Sequence, residues 1–206
     1  ACHSHCEIYK VVGDCIMPRE GVFTIVLKGG VVKPGDEITL IEADPARPFT
    51  AAVITLSDRA SRGEYEDKSG PLIRDMLEAA GYQVLEQLVL PDGRPRLELE
   101  LTRLADQRQI SVIFTTGGTG FSLRDLTPEA TKAVCDREVP GIGEALRADS
   151  LKYTPNAILS RQTAGIREQS LIINLPGSPK ACRENLEFLL KPLAHGLGIL
   201  RGTATD

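Results

Sequence analysis

Two textures of hydrophobic patterning meet near residues 44–48. Up to Ala43, short runs of β-formers alternate with turn signals: Val22 to Leu27 predicts a strand, Lys28-Gly29-Gly30 a turn, and Glu37 to Ala43 a second strand reached through Lys33-Pro34-Gly35-Asp36. So few strands neither close a barrel nor bury two faces. Asp44-Pro45-Ala46-Arg47-Pro48 then forms a stiff linker, because each proline restricts its own φ and the residue before it. The boundary falls there, giving an appendage of residues 1–48 and a main domain of residues 49–206.

From Phe49 onward apolar runs alternate with amphipathic stretches. Ala51 to Leu56 reads as a buried strand, Ser69 to Ala80 as a helix with Pro71 near its start and Gly81 as its stop, and Tyr82 to Leu90 as a second strand. Leu97, Leu101 and Leu104 share a helix face, and Ile110 to Thr115 is a third strand ending in glycines. Thr127-Pro128-Glu129 predicts a helix start with Thr127 as N-cap and Pro128 in the first turn. Leu171 to Leu175 is a fourth strand, followed by Pro176-Gly177-Ser178-Pro179 and a long apolar-striped helix. This alternation predicts an α/β fold, a mostly parallel sheet with helices on both faces. Ligands then belong beyond the carboxyl ends of the strands, in the loops after Leu56, Leu90, Thr115 and Leu175.

Composition narrows the functional classes. The 206 residues are 42% hydrophobic and 25% charged, and 24 Lys and Arg against 28 Asp and Glu give a net charge of −4. No basic field recommends a nucleic-acid partner. No apolar run reaches the ~18 residues of a membrane-spanning helix, and no signal segment opens the chain, so the expectation is a cytoplasmic protein without a membrane partner. Five cysteines, an odd number, argue against a secreted disulfide framework. The first residue is Ala1, which leaves open a processed initiator or a segment of a longer polypeptide. Cys2-His3-Ser4-His5-Cys6 invites a zinc reading, but its ligands are closer together than usual zinc spacing; incidental thiols on a strand are the alternative.

The loops carry the candidate chemistry. Three glycines in Thr115-Thr116-Gly117-Gly118-Thr119-Gly120 let successive N–H groups gather round one anion, with Thr119 adding a hydroxyl. The segment is neither a Walker A loop nor Gly-x-Gly-x-x-Gly, and its bland reading is a tight turn. Asp92 in Leu90-Pro91-Asp92-Gly93 and Asp125 in Ser122-Leu123-Arg124-Asp125 each follow a strand of one sheet and can face one crevice. Two acids beside a phosphate cradle suit Mg²⁺; each also suits a turn brace. Ser57-Asp58-Arg59-Ala60-Ser61 and Asp67-Lys68-Ser69 suit a polar ligand loop, or a solvated connection with Ser69 capping a helix. Asn174-Leu175-Pro176-Gly177-Ser178 meets another helix N-terminus, which attracts phosphate, or is simply a rigid turn.

From about Ala51 to its end the chain resembles the molybdopterin adenylyltransferases of the Mog and MoaB-like family. The resemblance rests on Leu56-Ser57-Asp58-Arg59-Ala60-Ser61, Thr115-Thr116-Gly117-Gly118-Thr119-Gly120, Arg124-Asp125-Leu126-Thr127-Pro128-Glu129-Ala130-Thr131, Ile158-Leu159-Ser160-Arg161 and Ile172-Ile173-Asn174-Leu175-Pro176-Gly177-Ser178-Pro179, in the family's order. It implies attack by the terminal phosphate of molybdopterin on the α-phosphate of ATP, with release of pyrophosphate. It further implies Asp92 and Asp125 as the essential acids and Mg²⁺ ligands. The substrate and nucleotide would be held by Ser57, Asp58, Gly117, Gly118, Thr119, Gly120, Ser160, Asn174, Pro176, Gly177 and Ser178. A trimer or hexamer is the implied assembly.

The family commonly carries a second acid directly after the residue matched by Asp92, where this chain has Gly93. That departure keeps a second function open: a module that binds molybdopterin or the finished cofactor and hands it on without chemistry. The first 43 residues resemble the carboxyl-terminal third of a MOSC domain, through Gly13-Asp14-Cys15-Ile16-Met17-Pro18-Arg19-Glu20-Gly21 and Leu27-Lys28-Gly29-Gly30 followed by Val32-Lys33-Pro34-Gly35-Asp36.

Overall fold

In the first strand of the main domain, β1 (Thr50–Leu56), every residue after Thr50 is buried, and alternate side chains enter two different cores. Ala51 and Val53 join one face; Ala52, Ile54 and Leu56 join the other. The same period-2 division recurs in β3 (Val112–Thr116), where Phe114 faces opposite to Ile113, and in the last strand, where Ile173 faces opposite to Ile172. A strand buried on both faces has no polar side to show, which is why these segments read as continuous apolar runs.

The structure is a computed structural model and describes residues 31, 33–37 and 47–204. The chain divides into two compact units, Ala1–Glu42 and Ala43–Asp206. Within the first, Lys33 to Asp36 forms a turn closed by Asp36 N–H donating to the Lys33 carbonyl at 3.1 Å, with Gly35 at φ +94°. The remaining expectations for residues 1–43, including the MOSC-like motifs and the Cys2-His3-His5-Cys6 cluster, lie outside the described residues.

The second unit runs through β1, a single turn α1 (Asp58–Ser61), α2 (Ser69–Ala79), β2 (Gln83–Leu90), α3 (Arg94–Thr102), β3, α4 (Thr127–Val134), β4 (Arg137–Glu138), α5 (Pro140–Ser150), β5 (Ala164–Arg167), β6 (Ser170–Leu175) and α6 (Pro179–Arg201). The six strands form one sheet in the order β2-β1-β3-β6-β5-β4, as expected mostly parallel. At one end of the sheet β5 runs antiparallel to both β6 and the edge strand β4. Neither β4 nor β5 was legible as a strand: β4 is two exposed residues, and β5 is a short Ala-Gly-Ile-Arg segment. One core lies beneath α2, α5 and α6, the other beneath α3 and α4. Leu97, Leu101 and Leu104 are fully buried there, each contributing about 1.5–3 kcal/mol. Helix α3 passes into a π-helical turn, Arg103–Gln107, that the leucine spacing did not announce.

Two expected caps are corrected. Thr127 is the first helical residue of α4, behind Leu126, and its hydroxyl donates to the Gly117 carbonyl at 2.9 Å instead of capping its own helix. Ser69 likewise lies inside α2. Asp67 Oδ1 accepts from both Ser69 N–H and Gly70 N–H at 3.0 Å, while the Ser69 hydroxyl donates to Gly177 O at 2.9 Å. In both cases a longer-range acceptor outcompetes the local cap.

Strand register aligns the functional edge. Leu56 pairs with Leu90, Thr55 with Thr116, and Thr116 with Leu175, so four parallel strands end almost level. The loops that follow them are thereby brought to one rim.

Candidate active site

The glycine loop is fixed from below through its carbonyls. Gly117 O accepts from the Thr127 hydroxyl and Gly118 O from Thr127 N–H at 3.2 Å. Thr119 O accepts from Arg161 N–H at 2.9 Å, and Gly120 O from Arg161 Nε at 2.7 Å. In a trans peptide the N–H points opposite to the carbonyl of the preceding residue. Four carbonyls tied down therefore turn the N–H groups of Gly118, Thr119, Gly120 and Phe121 the other way, and these find no hydrogen-bond acceptor among the described residues. Such a run of free N–H groups is an anion cradle.

Glycine is required by this path. Gly117 and Gly118 have φ of +97° and +65°, and a Cβ on Gly117 would sit 2.5 Å from Leu56 O. Gly177 closes the other flank, where an added Cβ would touch Gly117 Cα at 3.4 Å.

Beside the cradle, Asp58 and Asp92 hold each other's backbones. Asp58 N–H donates to Asp92 Oδ2 at 3.2 Å, and Asp92 N–H donates to Asp58 Oδ1 at 3.1 Å. Asp125 Oδ2 accepts from Ser122 N–H at 3.0 Å. Burial raises the Asp92 pKa above the usual carboxylate value, and the nearby Asp125 charge raises it further. These two carboxylates thus share one neighbourhood, each with its other oxygen unbonded among the described residues. An all-oxygen donor set of this kind, with like charges in need of a counter-ion, fits Mg²⁺ completed by substrate phosphate. The described residues hold no group of three or more His, Cys, Asp or Glu able to enclose a metal on their own.

Residues 52–195 match the family described as "Probable molybdopterin binding domain". The chain belongs to that family. The molybdopterin adenylyltransferase of Helicobacter pylori strain J99 is 49% identical over 152 residues, covering 73% of this chain and 86% of the relative. That of Escherichia coli K12 is 47% identical over 137 residues, covering 66% and 70%. Among solved structures, the molybdopterin biosynthesis enzyme MoaB from Thermus thermophilus has a TM-score of 0.71 at 44% identity, covering 75% of this chain and 97% of that one.

Within this molybdopterin-binding domain the candidate residues divide into three places. Ser57, Asp58, Asp92, Asp125 and the loop from Gly117 to Gly120 lie along the strand-end rim, with Pro176, Gly177 and Ser178 closing it at the start of α6. Ser57 and Gly177 also line a cavity of about 140 Å³ with Thr55, Tyr65, Asp67 and Thr116. Ser160 instead borders a separate polar hollow of about 270 Å³ with Lys132, Glu138, Arg147 and Arg161. Asn174 is completely buried within β6. Its amide donates to the hydroxyls of Thr115 at 2.9 Å and Thr131 at 2.8 Å, tying β3, β6 and α4 together beneath the loop.

Three supporting residues escaped the sequence reading. Arg161 grips both ends of the segment Gly120 to Asp125, through Gly120 O and Asp125 O, and pairs with Glu129. The sequence offers Thr127 as a helix cap and Asp67 as loop polarity, whereas the Thr127 hydroxyl holds distant backbone and the Asp67 carboxylate caps the first turn of α2. The only sequence signal was the presence of Thr127 and Arg161 inside the motifs that carry the family resemblance. Among the described residues, no helix is long and apolar enough to cross a membrane.

Proposed function

We propose that the chain is a molybdopterin adenylyltransferase acting in molybdenum cofactor biosynthesis. The carrying observation is the glycine loop, with four carbonyls secured and the following N–H groups left for an anion, next to the paired carboxylates Asp92 and Asp125. The terminal phosphate of molybdopterin is a nucleophile at neutral pH and needs no Ser-His or Cys activation. One of its oxygens forms a bond to the α-phosphorus of ATP. The bond from that phosphorus to the oxygen bridging to the β-phosphate breaks, and pyrophosphate departs with the electron pair.

The chain's own contribution is positioning and charge complementarity. The N–H groups from Gly118 to Phe121 hold phosphate oxygens, and the α6 N-terminus behind Pro176, Gly177 and Ser178 adds its dipole. Asp92 and Asp125 would hold Mg²⁺, which supplies neutralisation of the charge that builds on the leaving pyrophosphate. Asn174 supports the loop from beneath, and Ser160 belongs to the polar hollow where the pterin is placed in this reading. Exposed Leu151, Tyr153, Ile158 and Leu159 offer apolar surface for a second copy, and the trimer or hexamer is the assembly that the family resemblance implies. A cytoplasmic setting completes the proposal, since ATP is supplied there.

A second reading, binding and hand-over without chemistry, is favoured by Gly93. Its φ of +144° and ψ of 147° suit glycine, so the backbone is not shaped for the second acid common in the family. Incubating the full chain with molybdopterin, ATP and Mg²⁺ separates the two. The adenylyltransferase reading expects an adenylylated pterin by mass spectrometry and one pyrophosphate per product; unchanged pterin bound to protein would favour hand-over.

A further inference from the structure

Arg124 is the one cation, among the described residues, that forms an ion pair with any of Asp58, Asp92 and Asp125, and its partner is Asp58. The two ends of this pair differ. The Asp58 side chain is only 14% exposed and is anchored by Asp92 N–H, whereas the Arg124 side chain is 65% exposed. The backbone that carries Arg124 is secured at both ends, because Arg161 holds Gly120 O and Asp125 O. Inside that span Asp125 N–H donates to Ser122 O at 3.0 Å, and Arg124 N–H donates to the Ser122 hydroxyl at 3.3 Å. A fixed loop thus presents a long, solvent-exposed guanidinium whose one side-chain tether is a carboxylate across the crevice.

Two neighbouring arginines are committed elsewhere, and Lys68, which lines the cavity beside Ser57 and Gly177, offers a point charge without a guanidinium fork. Arg161 is consumed in holding the loop, and the Arg59 guanidinium lies over the Tyr65 ring at 5.2 Å. A triphosphate would bring several negative charges next to three carboxylates, and a guanidinium fork matches the phosphate geometry. We propose that Arg124 is the specificity-determining cation for the β- and γ-phosphates of the nucleotide, released by Asp58 to the part of ATP that leaves as pyrophosphate. Asp58 is its resting partner and competes with the phosphates for it. This inference rests on the adenylyltransferase reading and adds to it a residue that separates triphosphate from monophosphate.

The test measures affinity of the full chain for magnesium pyrophosphate, ATP and AMP by titration calorimetry. Arg124→Ala is expected to weaken pyrophosphate and ATP binding tenfold or more and to leave AMP binding within twofold. Arg124→Lys, which keeps the charge but not the fork, should fall between Arg124→Ala and the unaltered chain. Asp58→Asn preserves an acceptor for Asp92 N–H and should tighten pyrophosphate binding, an effect that disappears when Arg124→Ala is added. Unchanged melting temperatures of the Arg124 variants confirm that the loop survives. Arg124→Ala binding pyrophosphate as well as the unaltered chain, or losing AMP affinity by the same factor, overturns the inference alone. Failure of the unaltered chain to bind ATP and pyrophosphate overturns the adenylyltransferase reading with it.

Discussion

Asp58 and Asp92 each donate a backbone N–H to the other's carboxylate, at 3.2 and 3.1 Å, so the loops after β1 and β2 form one clasp at the rim of the sheet. The clasp uses one oxygen of Asp92 and leaves the other without a hydrogen-bond partner among the described residues. Backbone restraint and chemical availability are thus met by the two halves of one carboxylate.

Asp125→Asn and Asp92→Asn should fold and bind pterin while losing at least about a hundredfold in pyrophosphate release, because the amides keep hydrogen-bond acceptors but remove charge that neutral groups cannot replace. Asp92→Asn should also melt no lower than the unaltered chain, since it removes a charge that the fold disfavours. Steady-state pyrophosphate release with thermal melting checks both. Turnover at the unaltered rate in both variants would remove these acids from the site.

The pH dependence has a defined sign. Burial, and then the charge of Asp125, raise the Asp92 pKa, so ionised Asp92 costs stability above that pKa and the cost vanishes as pH falls through it. The proposed metal and nucleotide binding, which would need the ionised form, should be lost over that same fall. In carbon-13 NMR the Asp92 carboxyl should titrate above the ordinary aspartate value of about 3.9, and lower in Asp125→Asn than in the unaltered chain. Identical midpoints in the two proteins would show that the carboxylates do not sense one another.

Gly118→Val tests the cradle. The position has φ +65°, and an added Cβ would fall onto the Thr127 hydroxyl that holds Gly117 O. A loss of about 1–3 kcal/mol in stability is expected from the backbone strain. Denaturant unfolding measures that loss, and calorimetry should show pyrophosphate affinity falling at least tenfold. Normal affinity would return the glycine loop to the role of a plain turn.

The four parallel strands and the main helices were legible because two-sided burial leaves an unbroken apolar run in β1, β3 and β6, and because Pro71 and Gly81 mark the limits of α2. The antiparallel edge was not, since β4 is held by pairing and has no pattern of its own. Sequence spacing could place Asp92 and Asp125 on one rim, but not the Asp58 clasp or the double grip of Arg161, which join positions far apart in the chain. The caps failed for a related reason: Thr127 and Ser69 have hydroxyls suited to local capping, yet each finds a carbonyl brought close by the fold.

A chain lacking residues 1–42 should keep pterin and ATP affinity within threefold. All candidate site residues lie in the unit Ala43–Asp206. That unit also contains Arg201, whose guanidinium donates to Arg47 O at 2.6 Å and lies 3.9 Å from the Phe49 ring centre, fastening the segment before β1. Calorimetry on the shortened protein checks this. A folded product without affinity would place part of the site in the first unit.

The most direct test of the account follows the label in ATP. With molybdopterin and Mg²⁺ present, phosphorus-32 at the α-position should appear in the pterin product, and label at the γ-position should appear wholly in pyrophosphate. Neither transfer should occur with Asp125→Asn. Retention of the α-label in free ATP while molybdopterin stays bound, or release of the γ-label as inorganic phosphate, would contradict adenylyl transfer at this site.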